Sequence, residues 1–292
     1  MERLKVLKTY KIYIGGKFPR TESGRYYVPK FNRKGIANVC LSSRKDVRNA
    51  IQVARKAQEP WAARAANNRG QILYRIAEMM EGRSDQFISE LELQGMDKNS
   101  AKKEIDMSID RWIYYAGWCD KFQQIYSSVN PVASPHFNFS VLEPSGVYFI
   151  VVDDKSPLLS IVSTLAPVIA AGNSVVLLAP KNSPLSAITL AEIMQTSDVP
   201  GGVVNILTGD KDELVDHFSR HLDVNGVVYS GDDKKYITRI KKNAASNLKR
   251  THSYTEDWYD KNAQGPYFIK NVSEVKTTWH PIENINASGS GY

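Results

Sequence analysis

The sequence predicts an α/β protein: a parallel sheet covered by helices on both faces, preceded by a helical segment. Two observations carry this. From residue 147 to residue 247, short β-branched runs alternate with longer amphipathic stretches, the rhythm of strand–helix–strand crossovers. Those runs are apolar throughout rather than at every second residue, as in strands buried on both sides.

In chain order, residues 10–29 read as a hairpin. "KIYIGGKF" places Gly15-Gly16 between two short runs, and a two-residue primed turn needs positive φ at both central positions. A strand is expected near 36–41. "SSRKDVRNAIQVARKAQEPWAA" opens on a serine cap and puts Val47, Ile51, Val53 and Ala54 on one helix face. "NNRGQILYRIAEMMEGR" turns Ile72, Leu73, Ile76 and Met79/Met80 inward, and "SDQFISELELQGMDK" ends at Gly95. "SAKKEIDMSIDRWIYYAGWCDKFQ" carries Trp112, Tyr115 and Trp118 at the spacing of a buried helix face.

A Pro- and Ser-rich break follows at 127–135. Next come "FNFSVLEPSG" and "GVYFIVV", two extended runs parted by Pro144-Ser145-Gly146. Strands at 147–152, 174–179, 202–207 and 226–230 then lead to helices at 157–171, 184–196, 211–222 and 232–247, joined by right-handed crossovers. After Arg250 the rhythm stops, and "THSYTEDWYDKNAQGPYF" reads as irregular. "FIKNVSEVKTTWHPI" reads as a last strand, which must pair within its own chain or along another chain's exposed edge. Three parts result: 1–130, with hairpin and helices; 131–250, the α/β part with a hairpin near 137–150; and 251–292, a linker and the terminal strand.

Bulk properties narrow the function. Hydrophobic residues make up 42% and charged residues 24%, ordinary for a globular chain of one large or two average domains. No apolar run approaches the roughly 20 residues of a membrane span, and "MERLKVLKTYKIYIGG" lacks the apolar core and cleavage site of a leader. Cys40 and Cys119 are the only cysteines and form no CxxC, which points to a reducing cytoplasm without disulfides or a zinc site. His217 and His221 are four apart and share a helix face, but no third ligand accompanies them, so no metal is expected. The net charge of +7 gathers partly in "KKYITRIKKNAASNLKR" (234–250), which reads as a solvated helix face. No nucleic-acid motif accompanies it, and neither nucleic acid nor membrane is expected as a partner.

One stretch has the layout of a site. Ile150 to Ser160 reads "IVVDDKSPLLS": a strand, a short charged loop, then a helix with Pro157 near its first turn. α/β proteins place ligands at such a strand exit.

With these segments placed, the sequence resembles the NAD(P)-dependent aldehyde dehydrogenase superfamily over most of its length. The resemblance lies in the order and spacing of "YIGGKFPRTESGRYYVPKFN", "DVRNAIQVARKAQEPWAARAANNRGQILYRIAEMME", "DRWIYYAGWCDK", "EPSGVYFIVV", "LAPVIAAGNSVVLLAP" and "PGGVVNILTG". It implies a Rossmann-like coenzyme-binding domain with protruding oligomerisation strands, the hairpin near 137–150 and the terminal strand near 268–279. It also implies a chemistry: a cysteine thiolate attacks, an Asn amide steadies the oxyanion, a Glu activates water, and hydride passes to the nicotinamide.

Matched residue by residue, those groups are missing. Aligning the family's "PWNFP" on Pro157 puts Lys155 at the oxyanion Asn; its flexible stem is a poor stand-in for a fixed amide. The base-bearing "LELGGK" is expected just after Asn247-Leu248-Lys249-Arg250 and is absent. No cysteine follows Cys119, and both cysteines read as packing residues. The ribose-binding "KPSE" aligns with Leu178, Ala179, Pro180 and Lys181, which loses the Lys and the Glu. The diphosphate-binding "FTGSxxxG" reads Tyr229 to Tyr236, with Asp232 for the Ser, expected to cap the helix and repel a diphosphate. Lys155, Lys181, Gly209, Ser230, Gly231 and Asp232 remain as degenerate cofactor-site positions. No cofactor is expected, with NAD(P) as the alternative.

The resemblance thus implies an aldehyde dehydrogenase-like pseudoenzyme. Its catalytic domain is missing between "NLKR" and the last strand, and its partner is itself or a full-length aldehyde dehydrogenase. Two alternatives stand: an NAD(P)-dependent oxidoreductase acting on aldehydes with groups supplied by a partner, and an anion- or nucleotide-binding module using Lys155, Lys181, Lys234 and Lys235.

Overall fold

A computed structural model describes residues 6–282. The reading of the first residues as leader-free, and the end of the 251–292 part, lie partly outside the described residues.

The chain opens with short strands β1 (Thr9–Tyr10), β2 (Tyr26–Tyr27), β3 (Lys30–Phe31), β4 (Lys34–Gly35) and β5 (Asn38–Cys40). Gly15 and Gly16 have φ of +62° and +78°, and Ile14 and Lys17 exchange both main-chain hydrogen bonds across them. That is the expected primed turn. It does not grow into a longer hairpin, because Tyr13 pairs with Ile206 instead.

Four helices follow: α1 (Arg44–Ala62), α2 (Ala66–Glu81), α3 (Ser84–Leu93) and α4 (Lys98–Trp118). Ser43 caps α1 in a capping box with Asp46. Val47, Ile51 and Ala54 are buried as expected, with Ala50, while Val53 is half-buried at the edge of that face. Trp112 and Tyr115 are core residues, and Trp118 is partly covered at the end of α4.

After α5 (Phe122–Tyr126), the expected break contains a strand, β6 (Ser128–Asn130), which pairs with β7 (His136–Pro144). Then come β8 (Val147–Val152), α6 (Leu159–Ala170), β9 (Ser174–Leu178), α7 (Leu185–Thr196), β10 (Val204–Leu207), α8 (Lys211–Arg220), β11 (Gly226–Ser230) and α9 (Lys234–Ala244). The described chain ends with β12 (Arg250–Tyr254), α10 (Tyr267–Asn271) and β13 (Ser273–Pro281).

The central sheet has the order β10-β9-β8-β11-β12, all parallel. Along β8 the side chains alternate between two cores. Val147, Phe149 and Val151 pack with α1 and α8, and Phe149 stacks on Phe218 at 3.9 Å. Tyr148, Ile150 and Val152 pack with α6 and α7 on the other face. Helices on both faces therefore explain the uninterrupted apolar runs.

Two expectations need correction. Residues 250–254 are not irregular, since β12 is the fifth parallel strand, in register with β11 from Gly226↔Arg250 to Ser230↔Tyr254. Its polar composition suits an edge strand, whose conformation comes from its neighbour. Nor are 137–150 a hairpin: β7 and β8 lie in different sheets. Gly146 redirects the chain between them at φ +128°, where a Cβ would lie 2.3 Å from Asn225 Oδ1. β7 instead pairs antiparallel with β13 over its whole length, from Ser273↔Pro144 to Pro281↔His136. The last strand has its partner in its own chain.

The basic helix α9 is answered by acids on α8. Arg239 pairs with Asp216 at 2.7 Å, and Lys235 lies 3.5 Å from Asp212. Among the described residues no helix is long and apolar enough to cross a membrane.

Candidate functional site

The sheet runs outward from β8 in both directions, to β9 and β10 on one side and to β11 and β12 on the other. The crevice beyond the C-terminal ends of β8 and β11 is thus the topological switch point, where open α/β sheets place ligands. β8 delivers Asp153, whose N–H bonds the Ser230 carbonyl at 3.1 Å. β11 delivers Ser230 and Gly231.

Asp153 is committed within the fold. One carboxylate oxygen takes the Lys211 ammonium, and the other accepts the Tyr229 hydroxyl at 2.9 Å. Burial, then the Asp153 carboxylate, pushes the Tyr229 phenol up. Gly231 leaves space for this carboxylate, because a Cβ there would sit 1.9 Å from Asp153 Oδ2. Asp154 turns the other way and accepts from the Asn182 and Ser183 main-chain N–H groups at 3.0 and 3.1 Å. Of "DDKS", only Lys155 and Ser156 are left facing the cleft without Asp153's ties.

Of the six positions singled out from the sequence, four come together. Lys155, Ser230, Gly231 and Asp232 line one cleft, with Asp153, Ser156, Ser160, Tyr254, Thr255, Glu256 and Trp258. Lys155 is exposed and has no hydrogen-bond or ion-pair partner among the described residues. The other two lie apart. Lys181 is bound to Asp210 at 2.5 Å, and its hydrogen bond holds the Asp210 carboxyl below the usual range. Gly209 packs on Ser42, with a built Cβ at 3.3 Å from the Ser42 nitrogen. Asp232 is not the helix cap: Asp233 caps α9 and accepts the Lys235 N–H at 2.8 Å. Asp232 projects at the cleft mouth instead. Leu178, at the ribose-lysine position, is wholly buried. Tyr236 sits under the Lys211 ammonium, 4.7 Å from its ring centre.

One wall of the cleft comes from a segment that reads as irregular. Trp258 is buried and donates its indole N–H to Ser230 Oγ at 2.9 Å. Arg111 of α4, also buried, reaches across to fasten the same segment. It donates to the carbonyls of Ala263 at 2.5 Å and Trp258 at 3.2 Å, and to Ser163 Oγ of α6 at 2.8 Å. Glu104, one helical turn and more before it, accepts the Leu158 and Leu159 N–H groups at 2.7 and 3.1 Å and so caps α6. Its second oxygen accepts the Tyr259 hydroxyl at 2.6 Å. Burial pushes the Glu104 carboxyl up, and these three bonds work against that shift. Neither Glu104 nor Arg111 carries a sequence signal for this role, because their partners are distant in the chain.

Neither cysteine lines the cleft. Cys40 and Cys119 are both buried, and burial pushes Cys119 up to about 12, away from the thiolate a nucleophile needs. His217 lies in α8 and His221 just past its end in extended backbone, so the two do not share a helix face, although their ring centres are 5.9 Å apart.

The cleft measures about 80 Å³, whereas sites for drug-sized ligands occupy roughly 300–1,000 Å³. Asp153, paired with Lys211, lines it together with Asp232 and Glu256.

Comparison with known proteins gives a family. The profile of the aldehyde dehydrogenase family matches residues 20–255. Mouse cytosolic 10-formyltetrahydrofolate dehydrogenase is 32% identical over 258 residues, covering 86% of this chain and 28% of that protein. Omega-crystallin of Enteroctopus dofleini is 31% identical, covering 84% of this chain and 50% of that one. Among solved structures, the NAD+ complex of aldehyde dehydrogenase from Bacillus cereus superposes with a TM-score of 0.79 at 25% identity, covering 84% of this chain and 50% of that chain. The chain thus spans half or less of the length of these relatives.

Proposed function

We propose that this chain, which belongs to the aldehyde dehydrogenase family, works as a non-catalytic subunit that assembles with itself or with a full-length aldehyde dehydrogenase. The observation that carries the proposal is the Arg111 staple. In the family the catalytic domain lies between the stretch matching Asn247–Arg250 and the final strand. Here residues 255–272 make that whole connection, and Arg111, Glu104 and Ser230 tie it onto the coenzyme-domain fold. A buried cation placed to satisfy the carbonyls of a short connection supports a self-contained fold rather than an enzyme awaiting a missing part.

Kinship alone speaks for a dinucleotide, since solved relatives hold NAD, and the expectation of no cofactor draws no support from it. This chain's own crevice supports weak NAD(P) binding at most. Asp153 and Lys211 neutralise each other where a diphosphate would need donors, and Asp232 adds a like charge. Titrating NAD+ into the protein calorimetrically is expected to give no saturation at physiological coenzyme concentrations. A stoichiometric, saturable isotherm there would reject this part of the reading.

Assembly is supported by the outer sheet, in the order β13-β7-β6. β13 is nine residues long, lies at the sheet edge, and is exposed along most of its length. Val129 and Phe137, 65% and 45% exposed, share one face with Phe139 and Val141 and bound an apolar groove. Native mass spectrometry of the chain, alone and co-expressed with an intact homologue, is expected to show homo- or hetero-oligomers. Phe137→Asp is expected to weaken association by at least roughly tenfold without loss of fold. A monomer in every mixture would sink the proposal.

A further inference from the structure

The switch-point cleft holds polar groups that the fold leaves unused. Ser160, in the first turn of α6, is 3% exposed, lines the cleft, and its Oγ has no hydrogen-bond partner among the described residues. Ser108, Thr164, Ser197 and Ser219, also buried, each donate to the carbonyl four residues back; Ser42 and Ser186 share the unpartnered state of Ser160 but do not line this cleft. Glu256 also lines the cleft, and its Oε2 is buried without a partner among the described residues. Ser230 accepts from Trp258 and keeps its own proton to donate.

Charge decides what these groups suit. Asp153 is neutralised by Lys211. That leaves the carboxylates of Asp232 and Glu256 against the single ammonium of Lys155, a surplus of one negative charge. The apolar wall is aromatic: Tyr254 and Trp258 meet edge to face at 6.2 Å and both line the cleft. Aromatic faces attract cations. Among the described residues no group of three or more His, Cys, Asp or Glu side chains is placed to hold a metal ion, and 80 Å³ admits only a few heavy atoms.

We infer that this cleft binds a small primary ammonium ion, whose N–H groups donate to Ser160 Oγ and Glu256 Oε2 and whose carbon lies against Trp258 and Tyr254. Binding is non-covalent and needs neither a partner nor a coenzyme. The anionic alternative meets the opposite charge balance, because Lys181 is held by Asp210 and Lys235 lies beside Asp212.

Calorimetric titration of the full chain with methylammonium chloride tests this, with sodium chloride, tetramethylammonium chloride and sodium phosphate as parallel arms. Saturable binding of methylammonium alone is expected. Glu256→Gln should weaken it by roughly tenfold, the loss of one charge-assisted hydrogen bond, and Ser160→Ala by several-fold. Lys181→Ala should leave it unchanged. Thermal unfolding checks that each variant folds; if Glu256→Gln does not, Ser160→Ala carries the test. Heats indistinguishable from sodium chloride would overturn the inference. So would equal binding of tetramethylammonium, which has no N–H to donate, or saturable phosphate binding that disappears in Lys155→Ala.

Discussion

Arg111→Ala is expected to destabilise the protein by about 2–4 kcal/mol, from three charge-assisted hydrogen bonds lost against the desolvation of one cation relieved. Arg111 is 2% exposed and has no carboxylate partner among the described residues. Burial accordingly lowers its pKa. Removing it relieves that desolvation, so the loss is smaller than a sum over bonds suggests. It also strands the Trp258 and Ala263 carbonyls away from water, and those penalties dominate. Arg111→Lys should recover little, because one ammonium on a flexible stem cannot serve acceptors on two sides as the planar fork does. Chemical denaturation read by circular dichroism measures the effect. A change within about 0.5 kcal/mol, the range of an ordinary surface substitution, would show that residues 255–266 hang loosely.

Trp258→Ala is expected to cost about 3–5 kcal/mol, the range for deleting a large buried ring. The indole is 4% exposed and packs against Tyr254 and Phe268, with ring centres at 6.2 and 5.8 Å. Trp258→Phe keeps most of the packing and loses the bond to Ser230, so about 1 kcal/mol is expected. The difference between the two variants separates packing from hydrogen bonding. Arg111 and Trp258 meet through the Trp258 carbonyl, so the double variant should fall short of the sum by about 0.5–3 kcal/mol. Additive losses would mean that the staple and the aromatic wall act independently, against the view of a single closed connection.

These two residues also mark the limit of what local sequence pattern determines. The "THSYTEDWYDKNAQGPYF" stretch has neither a helical nor a strand period, so it read as a linker. In the structure its first residues are β12 and its aromatic residues close a core. No local pattern announces this, because the information lies in Arg111, 152 residues from Ala263 in sequence, and in β11, which imposes register on a polar strand. The same limit applies to "DDKS". Its position at a strand exit was readable from "IVVDDKSPLLS". That Asp153 would be occupied by Lys211, 58 residues on, was not, nor that Asp154 would turn away to cap the 182–183 turn.

By itself the sequence determined the α/β class, the strand–helix alternation of 147–244, the Gly15-Gly16 turn and the family. Each follows from contiguous residues whose burial period or backbone freedom is local. Tertiary structure alone decided that β7 and β8 part into different sheets, that β13 closes on β7, and that β12 joins the central sheet. It likewise decided that Lys155, Ser230, Gly231 and Asp232 share a cleft while Lys181 and Gly209 do not. Strand pairing and ion pairing are choices among many distant partners of similar chemistry. Only the packing of the whole chain, through the two cores on either side of β8, brings one of those partners within reach and excludes the rest.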